Sequence, residues 1–309
     1  MTTALYTHEL CTRHRMGDWH PESPARLASI LDYLHASGLL SELVRHEAPA
    51  VEREALLRAH PEHYLASLER LQPQEGLAWA DPDTALNVFT LEAAARAAGA
   101  VTAAVRAVMD GAHANAFCAV RPPGHHAERA QAMGFCFYNN VAVGVHAALA
   151  AGVERVAVVD FDVHHGNGTV DIFMEDPRVL VCSSFQHPFY PYRMFDIDRP
   201  HIVNTPLDEG CGGVEFRRRV EAAWLKRLDV HAPQIVFVSA GFDAHARDPL
   251  GGLELHEPDF RWVTELIADV AARHANGRIV SVLEGGYDLD ALARSVDAHL
   301  QVLRESDRA

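Results

Sequence analysis

The chain has 309 residues, 49% of them apolar, and a formal net charge of −15 at neutral pH. That size and apolar content suit a single α/β domain, 1–309, with a sizeable core, and no stretch approaches the ~20 apolar residues of a membrane span. The acidic balance argues against a nucleic-acid partner and favours cationic small molecules or basic peptides. Five widely spaced cysteines (Cys11, Cys118, Cys136, Cys182, Cys211) without a CxxC fit a reducing cytoplasm. Residues 1–20 hold no apolar segment of a secretory signal, so a cytoplasmic protein is expected.

Residues 1–23 read as irregular and polar, with His8, His14, Asp18 and His20 ahead of Pro21 and Pro24. HPESPARL, from His20 to Leu27, reads as a loop capped by Ser23 that enters a helix at Pro24. Leu27, Ile30, Leu31 and Leu34 form its apolar stripe. Arg26 on the first turn is ordinarily a solvated charge. Val51–Leu71 predicts two short helices broken at Pro61, and Gln72–Leu86 a loop carrying Asp81, Asp83 and Thr84. Phe89–Met109 is Ala-rich and predicts a packing helix.

From here the chain alternates strand and helix, and each strand feeds a polar cluster. Ala116–Val120 is a short apolar strand ending in RPPGHH, Arg121 to His126. The prolines and glycine stiffen that turn, so His125 and His126 project from a strand end, as metal ligands or as an acid–base pair. In GFCFYNN, Gly134 to Asn140, Phe135 is either core or an aromatic wall for an apolar ligand stem. An Ala/Val helix follows to about Ala151.

Val156–Val159 is an apolar run of the kind buried in a parallel sheet. Asp160, Asp162 and His164 are spaced by two, so an extended backbone puts all three on one face. Oxygen from Asp and nitrogen from His suit zinc or another divalent first-row metal. A strand at Val179–Ser183 leads into an aromatic loop, Phe185–Arg199, that reads as a rim. Val214–Leu228 predicts a helix, and Gln234–Ala240 a strand. That strand ends in GFDAHARDPLGG with Asp243, His245 and Asp248, where a carboxylate would complete a metal site begun by Asp162 and His164. An amphipathic helix (Pro258–Ala275), a last strand (Arg278–Leu283), EGGYDL with Tyr287, and a closing helix from Leu289 complete the chain.

Three protein ligands with an open fourth position is the arrangement of a catalytic zinc, which acidifies its water and polarises a carbonyl. A nearby His can move a proton, and a phenol can stabilise an oxyanion. Asp162/His164/Asp248, His125/His126 and Tyr287 are the candidates, and amide hydrolysis is the reaction class that uses them. No GxSxG is present.

RPPGHH, GFCFYNN, DFDVHHGNGT, GFDAHARDPLGG and LEGGYDL, with HPESPARL ahead of them, resemble in order and spacing the histone deacetylase / acetylpolyamine amidohydrolase family. The resemblance implies an arginase–deacetylase fold, a mostly parallel eight-stranded sheet flanked by helices. It implies zinc on Asp162, His164 and Asp248, with ferrous iron also accepted by such ligands. It makes His126 the general base and acid, with His125 beside it oriented by Asp160. Asn167 stands behind His126, where many relatives carry Asp; this is similar to the class II branch. Tyr287 would polarise the acetyl carbonyl. Phe135 and Tyr190 would flank the channel, lined also by Gly134, Gly285 and Gly286. Asp160, Ser183 and Ser184 would serve a potassium or sodium ion, and Arg26 an acetate exit path. Polyamine-specific eukaryotic relatives carry Glu seven residues after the last zinc-binding Asp; counted from Asp248 that position is Leu255. The implied substrate is an acetylated small-molecule amine or an acetyl-lysine protein or peptide, and a homo-oligomer is compatible with the pattern. Two alternatives share the fold: a non-catalytic sensor of acetylated ligands, and a two-manganese ureohydrolase-type enzyme.

Overall fold

The computed structural model describes residues 2–306. Its strands are β1 (Thr3–Thr7), β2 (Val44–Glu47), β3 (Ala78–Asp81), β4 (Thr84–Leu86), β5 (Asn115–Cys118), β6 (Val156–Asp160), β7 (Val179–Gln186), β8 (Ile202–Leu207), β9 (Ile235–Ala240) and β10 (Ile279–Leu283). Its α-helices are α1 (Ala25–Ala36), α2 (Arg53–Ala59), α3 (Glu62–Leu71), α4 (Thr90–Met109), α5 (Asn140–Ala150), α6 (Asn167–Phe173), α7 (Gly213–His231), α8 (Glu257–His274) and α9 (Leu289–Ser306).

Eight strands form one sheet in the order β2-β1-β5-β10-β9-β6-β7-β8, and every neighbouring pair is parallel. This is the expected α/β architecture. Helices α1, α9, α8 and α7 pack in succession over one face, and α2, α4, α5 and α6 over the other. The central strands are therefore covered twice, and all residues of β5, β6, β9 and β10 are buried. That double burial is why they read as mostly apolar runs, each with a single polar residue. Among the described residues, no helix is long and apolar enough to cross a membrane.

The edges depart from the sequence reading. β2 alternates half-buried and exposed residues, VRHE, and has no apolar run to betray it. β8 carries Pro206, which an edge strand tolerates because one side of its ladder is unpaired. β1 lies inside the stretch expected to be irregular. The expected loop Gln72–Leu86 contains the antiparallel hairpin β3–β4, and β7 runs three residues beyond its predicted end at Ser183, to Gln186.

Because the strands are parallel, their C-terminal ends lie along one edge of the sheet. The five neighbours β5, β10, β9, β6 and β7 deliver RPPGHH, EGGYDL, GFDAHARDPLGG, DVHHGNG and the aromatic loop to the same place. Open α/β sheets bind their ligands in this position.

Candidate active site

Asp162, His164 and Asp243 offer ligand atoms that all lie within 4.8 Å of one another. His164 Nδ1 stands 3.0 Å from Asp162 Oδ1 and 3.2 Å from Asp243 Oδ2. The remaining carboxylate oxygens are tied down: Gly285 N donates to Asp162 Oδ2 at 2.9 Å, and Val163 N to Asp243 Oδ1 at 2.9 Å. Asp243 Oδ2 is buried without a hydrogen bond. Gly285 permits this approach, since a Cβ there would sit 2.0 Å from Asp243 Oδ2.

The third carboxylate is thus Asp243, not the expected Asp248. Asp248 spends both oxygens on backbone N–H groups, Oδ1 accepting from Leu250 (2.9 Å) and Oδ2 from Tyr287 (2.6 Å). It pins the loop that carries Tyr287. The expected rim position moves with it. Leu255 is fully buried and takes no part in the cavity wall. Seven residues after Asp243 comes Leu250, which does line the cavity.

His125 and His126 stand beside this cluster with ring centroids 4.0 Å apart. Glu284, whose role the sequence reading left unassigned within LEGGYDL, holds their turn: its Oε2 accepts from Gly124 N (2.7 Å) and His125 N (3.1 Å). His125 Nδ1 is 3.0 Å from Asp160 Oδ2, and His126 Nδ1 is 2.7 Å from Asn167 Oδ1. The two rings differ in charge. Burial works against the His125 cation, but Asp162 and Asp160 overcome it and hold the imidazole well above its ordinary range. Burial, with His125 as its cationic neighbour, holds His126 well below it, so His126 is neutral. Burial pushes Asp243 up to about 7, with the Asp162 charge adding to the push.

Of these groups His125, His126 and His164 line a cavity of about 480 Å³, with the carboxylates buried behind them. Gly134, Phe135, Phe189, Tyr190, Gly285 and Tyr287 are among its walls. Phe135 and Tyr287 meet edge to face at 6.0 Å, and Tyr190 meets His126 the same way at 5.2 Å. Gly134 has φ +56°, and a Cβ there would collide with the His126 ring at 2.4 Å. Phe135 N donates to Thr84 Oγ1 at 3.0 Å, which fastens the channel wall to hairpin β3–β4. Asp83 and Glu209 bring carboxylates to the cavity lining. Burial keeps the Tyr287 phenol protonated and able to donate, with Arg26 opposing the upward shift.

Gly286 is not in the cavity wall; its carbonyl accepts from Arg26 Nε at 2.6 Å. Arg26 is fully buried, with its guanidinium carbon 4.9 Å from the Tyr287 ring centre. Asp160, Ser183 and Ser184 are buried at the ends of β6 and β7, where Asp160 pairs with Ser183 and Ser183 Oγ has no hydrogen bond.

A second group of possible ligands, His245, His256 and Glu257, lies apart from this cavity. His245 Nδ1 accepts from Arg247 N at 3.1 Å, which leaves Nε2 protonated and facing Glu257 at 3.6 Å. Glu257 is held by Arg294 at 2.5 Å. That cluster is a Glu257–Arg294 ion pair with a neutral imidazole beside it.

Fold and site together define an α/β protein with a carboxylate–imidazole–carboxylate centre at the end of a parallel sheet. A family model described as a histone deacetylase domain matches residues 20–303. The chain belongs to the histone deacetylase family. It is 39% identical over 310 residues to a histone deacetylase-like amidohydrolase of Pseudomonas aeruginosa, covering 92% of this chain and 81% of the relative. It is 36% identical over 325 residues to the human polyamine deacetylase HDAC10, covering 98% of this chain and 48% of the relative. Against a type-2 histone deacetylase of Dictyostelium discoideum, 36% identical over 356 residues, it covers 98% of itself and spans only 21% of the relative. The crystal structure of the HDA15 HD domain superposes with a TM-score of 0.93 at 32% identity, over 98% of this chain and 88% of that one.

Proposed function

We propose that the protein is a zinc-dependent amidohydrolase that removes an acetyl group from an amine. The observation that carries this reading is a two-carboxylate, one-imidazole cluster whose His164 opens on the same cavity as the His126 imidazole and the Tyr287 phenol. Asp162, His164 and Asp243 suit a divalent ion in donor type, and the buried, unbonded Asp243 Oδ2 is a ligand atom in want of a cation. Such an ion, when bound, supplies Lewis acidity to an acyl carbonyl and to a water. Ferrous iron would satisfy the same donors.

The chain's own residues then divide the work. His126 takes a proton from the attacking water and returns it to the leaving amine. His125, paired with Asp160, is the cationic neighbour that keeps His126 neutral. The Tyr287 phenol donates to the developing oxyanion. Phe135, Phe189 and Tyr190 hold an apolar stem and exclude water from it. Asp160, Ser183 and Ser184 fit a monovalent cation, supported by the unpartnered Ser183 hydroxyl. Arg26 is assigned to an acetate path on its placement behind Tyr287.

Asp83 and Glu209 favour a substrate with positive charge beyond the acetylated nitrogen, such as an acetylated polyamine or a basic acetyl-lysine peptide. Leu250, not Glu, fills the position that the polyamine-specific pattern reserves for an acid, which supports a broad amine preference. Turnover of the zinc-loaded protein on an acetyl-lysine peptide, acetylputrescine and acetylspermidine tests this, with a chelated control. The expectation is turnover that chelation and Asp162→Ala both abolish. Retained turnover in a folded Asp162→Ala protein overturns the metal mechanism, and a strong kcat/KM preference for either substrate class decides what the rim reads.

A further inference from the structure

Asn167 sits behind His126 with its amide in one orientation. Oδ1 is 2.7 Å from His126 Nδ1, while Nδ2 is 2.7 Å from Glu128 Oε1 and 3.4 Å from the His126 carbonyl. Glu128 is 5% exposed, and its Oε1 also receives Arg193 Nε at 3.0 Å.

An amide beside an imidazole has two orientations of nearly the same shape, and they select opposite tautomers. With oxygen toward the ring, Nδ1 carries the proton and Nε2 keeps a lone pair. With the NH₂ toward the ring, Nδ1 must be bare and Nε2 carries the proton, so the ring cannot act as a base on its far side. A carboxylate behind the ring poses no such choice, because both its oxygens only accept. Asparagine needs something to break the tie. A buried carboxylate can do it, since it admits only the donor edge of the amide.

We propose that Glu128 is a positioning residue that locks the Asn167 amide and thereby fixes His126 as the Nδ1–H tautomer, with Nε2 free toward the cavity. The inference rests on the reading of His126 as general base. Arg193 supports it by offsetting the burial that works against the Glu128 charge. The arrangement gives His126 an obligate acceptor at Nδ1 without placing a negative charge against the ring.

Two measurements on the zinc-loaded protein test it. Histidine ring ¹⁵N NMR reports the tautomer directly: His126 should carry its proton on Nδ1 in the wild type, and the Nε2–H form should become populated in Glu128→Leu, which removes the acceptor that a glutamine would keep. In steady state, Glu128→Leu should lower kcat about tenfold or more with KM changed less than about threefold. The same change in an Asn167→Asp background should not lower kcat, because there it removes a carboxylate–carboxylate clash. A wild-type ring protonated on Nε2 overturns the proposal even if no variant folds. So does an unchanged tautomer in folded Glu128→Leu, or an equal loss in both backgrounds, which would mark a merely structural role. A wild type with the expected tautomer but no turnover on any acetylated amine would instead remove the proposed function and leave the amide lock standing.

Discussion

Asp243 and Asp248 lie five residues apart on one loop, and hydrogen-bond accounting separates their roles. Asp243 Oδ2 is buried and unbonded inside the cluster it forms with Asp162 and His164, whereas Asp248 lies outside that cluster and its oxygens hold the N–H groups of Leu250 and Tyr287. On the proposed zinc reading, Asp243→Asn should weaken zinc binding by roughly 100-fold or more in a chelator competition, since it would remove a direct ligand where even supporting groups cost ~10–100-fold. Asp248→Asn should keep affinity within several-fold but lower kcat by about tenfold or more, because Tyr287 loses the tether that aims its phenol. The reverse pattern would return the third-ligand role to Asp248. The sequence placed both residues in one motif at the end of β9, and spacing cannot choose between them, because a loop can turn either one inward. The same five-residue slip sent the rim position to Leu255 instead of Leu250. By contrast, Asp162 and His164 do meet in one cluster, but not by strand geometry: β6 ends at Asp160 and the chain then bends, with Asp160 Oδ1 accepting from Asp162 N and Asp162 Oδ1 from His164 N.

At the scale of elements, the loop entering α1 is held to β5 and to the Tyr287 loop by a buried charge cluster. Glu22 accepts from Arg121 at both oxygens, its Oε2 at 2.6 Å from Nη2, and from Arg26 at 3.2 Å. Arg26 in turn donates to the carbonyls of Gly286 and Glu284. All three side chains are fully buried. The sequence showed HPESPARL as a motif and Arg26 as a candidate, but a glutamate between prolines reads as solvated, and nothing local reveals that two guanidiniums converge on it. Glu22→Ala should strand those cations and cost about 3–5 kcal/mol, seen as a lower urea midpoint at unchanged slope. A midpoint within error of wild type would mean that water or Cys11 and His14 backbone groups compensate. The strands divide the same way. Central β6, β9 and β10 announce themselves because burial on both faces favours apolar residues at nearly every position. Edge strands β2 and β8 face such a demand on fewer sides and stay hidden in polar sequence.

At the scale of the whole molecule, one helix layer is joined to the sheet through a polar contact inside the core. His299 of α9 bridges α8 and β10, with Nδ1 2.7 Å from Thr264 Oγ1 and Nε2 2.8 Å from Ser281 Oγ. Thr264 gives its own proton to the Phe260 carbonyl, so His299 Nδ1 donates and Nε2 accepts, which is a neutral imidazole. Burial holds its pKa down to about 3, against about 6.5 in an unfolded chain. Below pH ~6.5 the unfolded state thus binds a proton that the native state refuses, and the ring's contribution to stability is lost as pH falls toward the folded value. Total stability mixes this with opposite terms: Glu284, pushed up to about 7 by burial, takes up its proton in the native state over the same range. The difference between wild type and His299→Gln isolates the imidazole. That substitution should be most destabilising at pH 7 and above, and its cost should shrink by about 1.6 kcal/mol between pH 6.5 and pH 5, approaching ~1.4 kcal/mol per unit at the lower end. Urea unfolding of both proteins across that range reads it, and a difference that stays constant down to pH 5 would mean that the native core accommodates the charged ring.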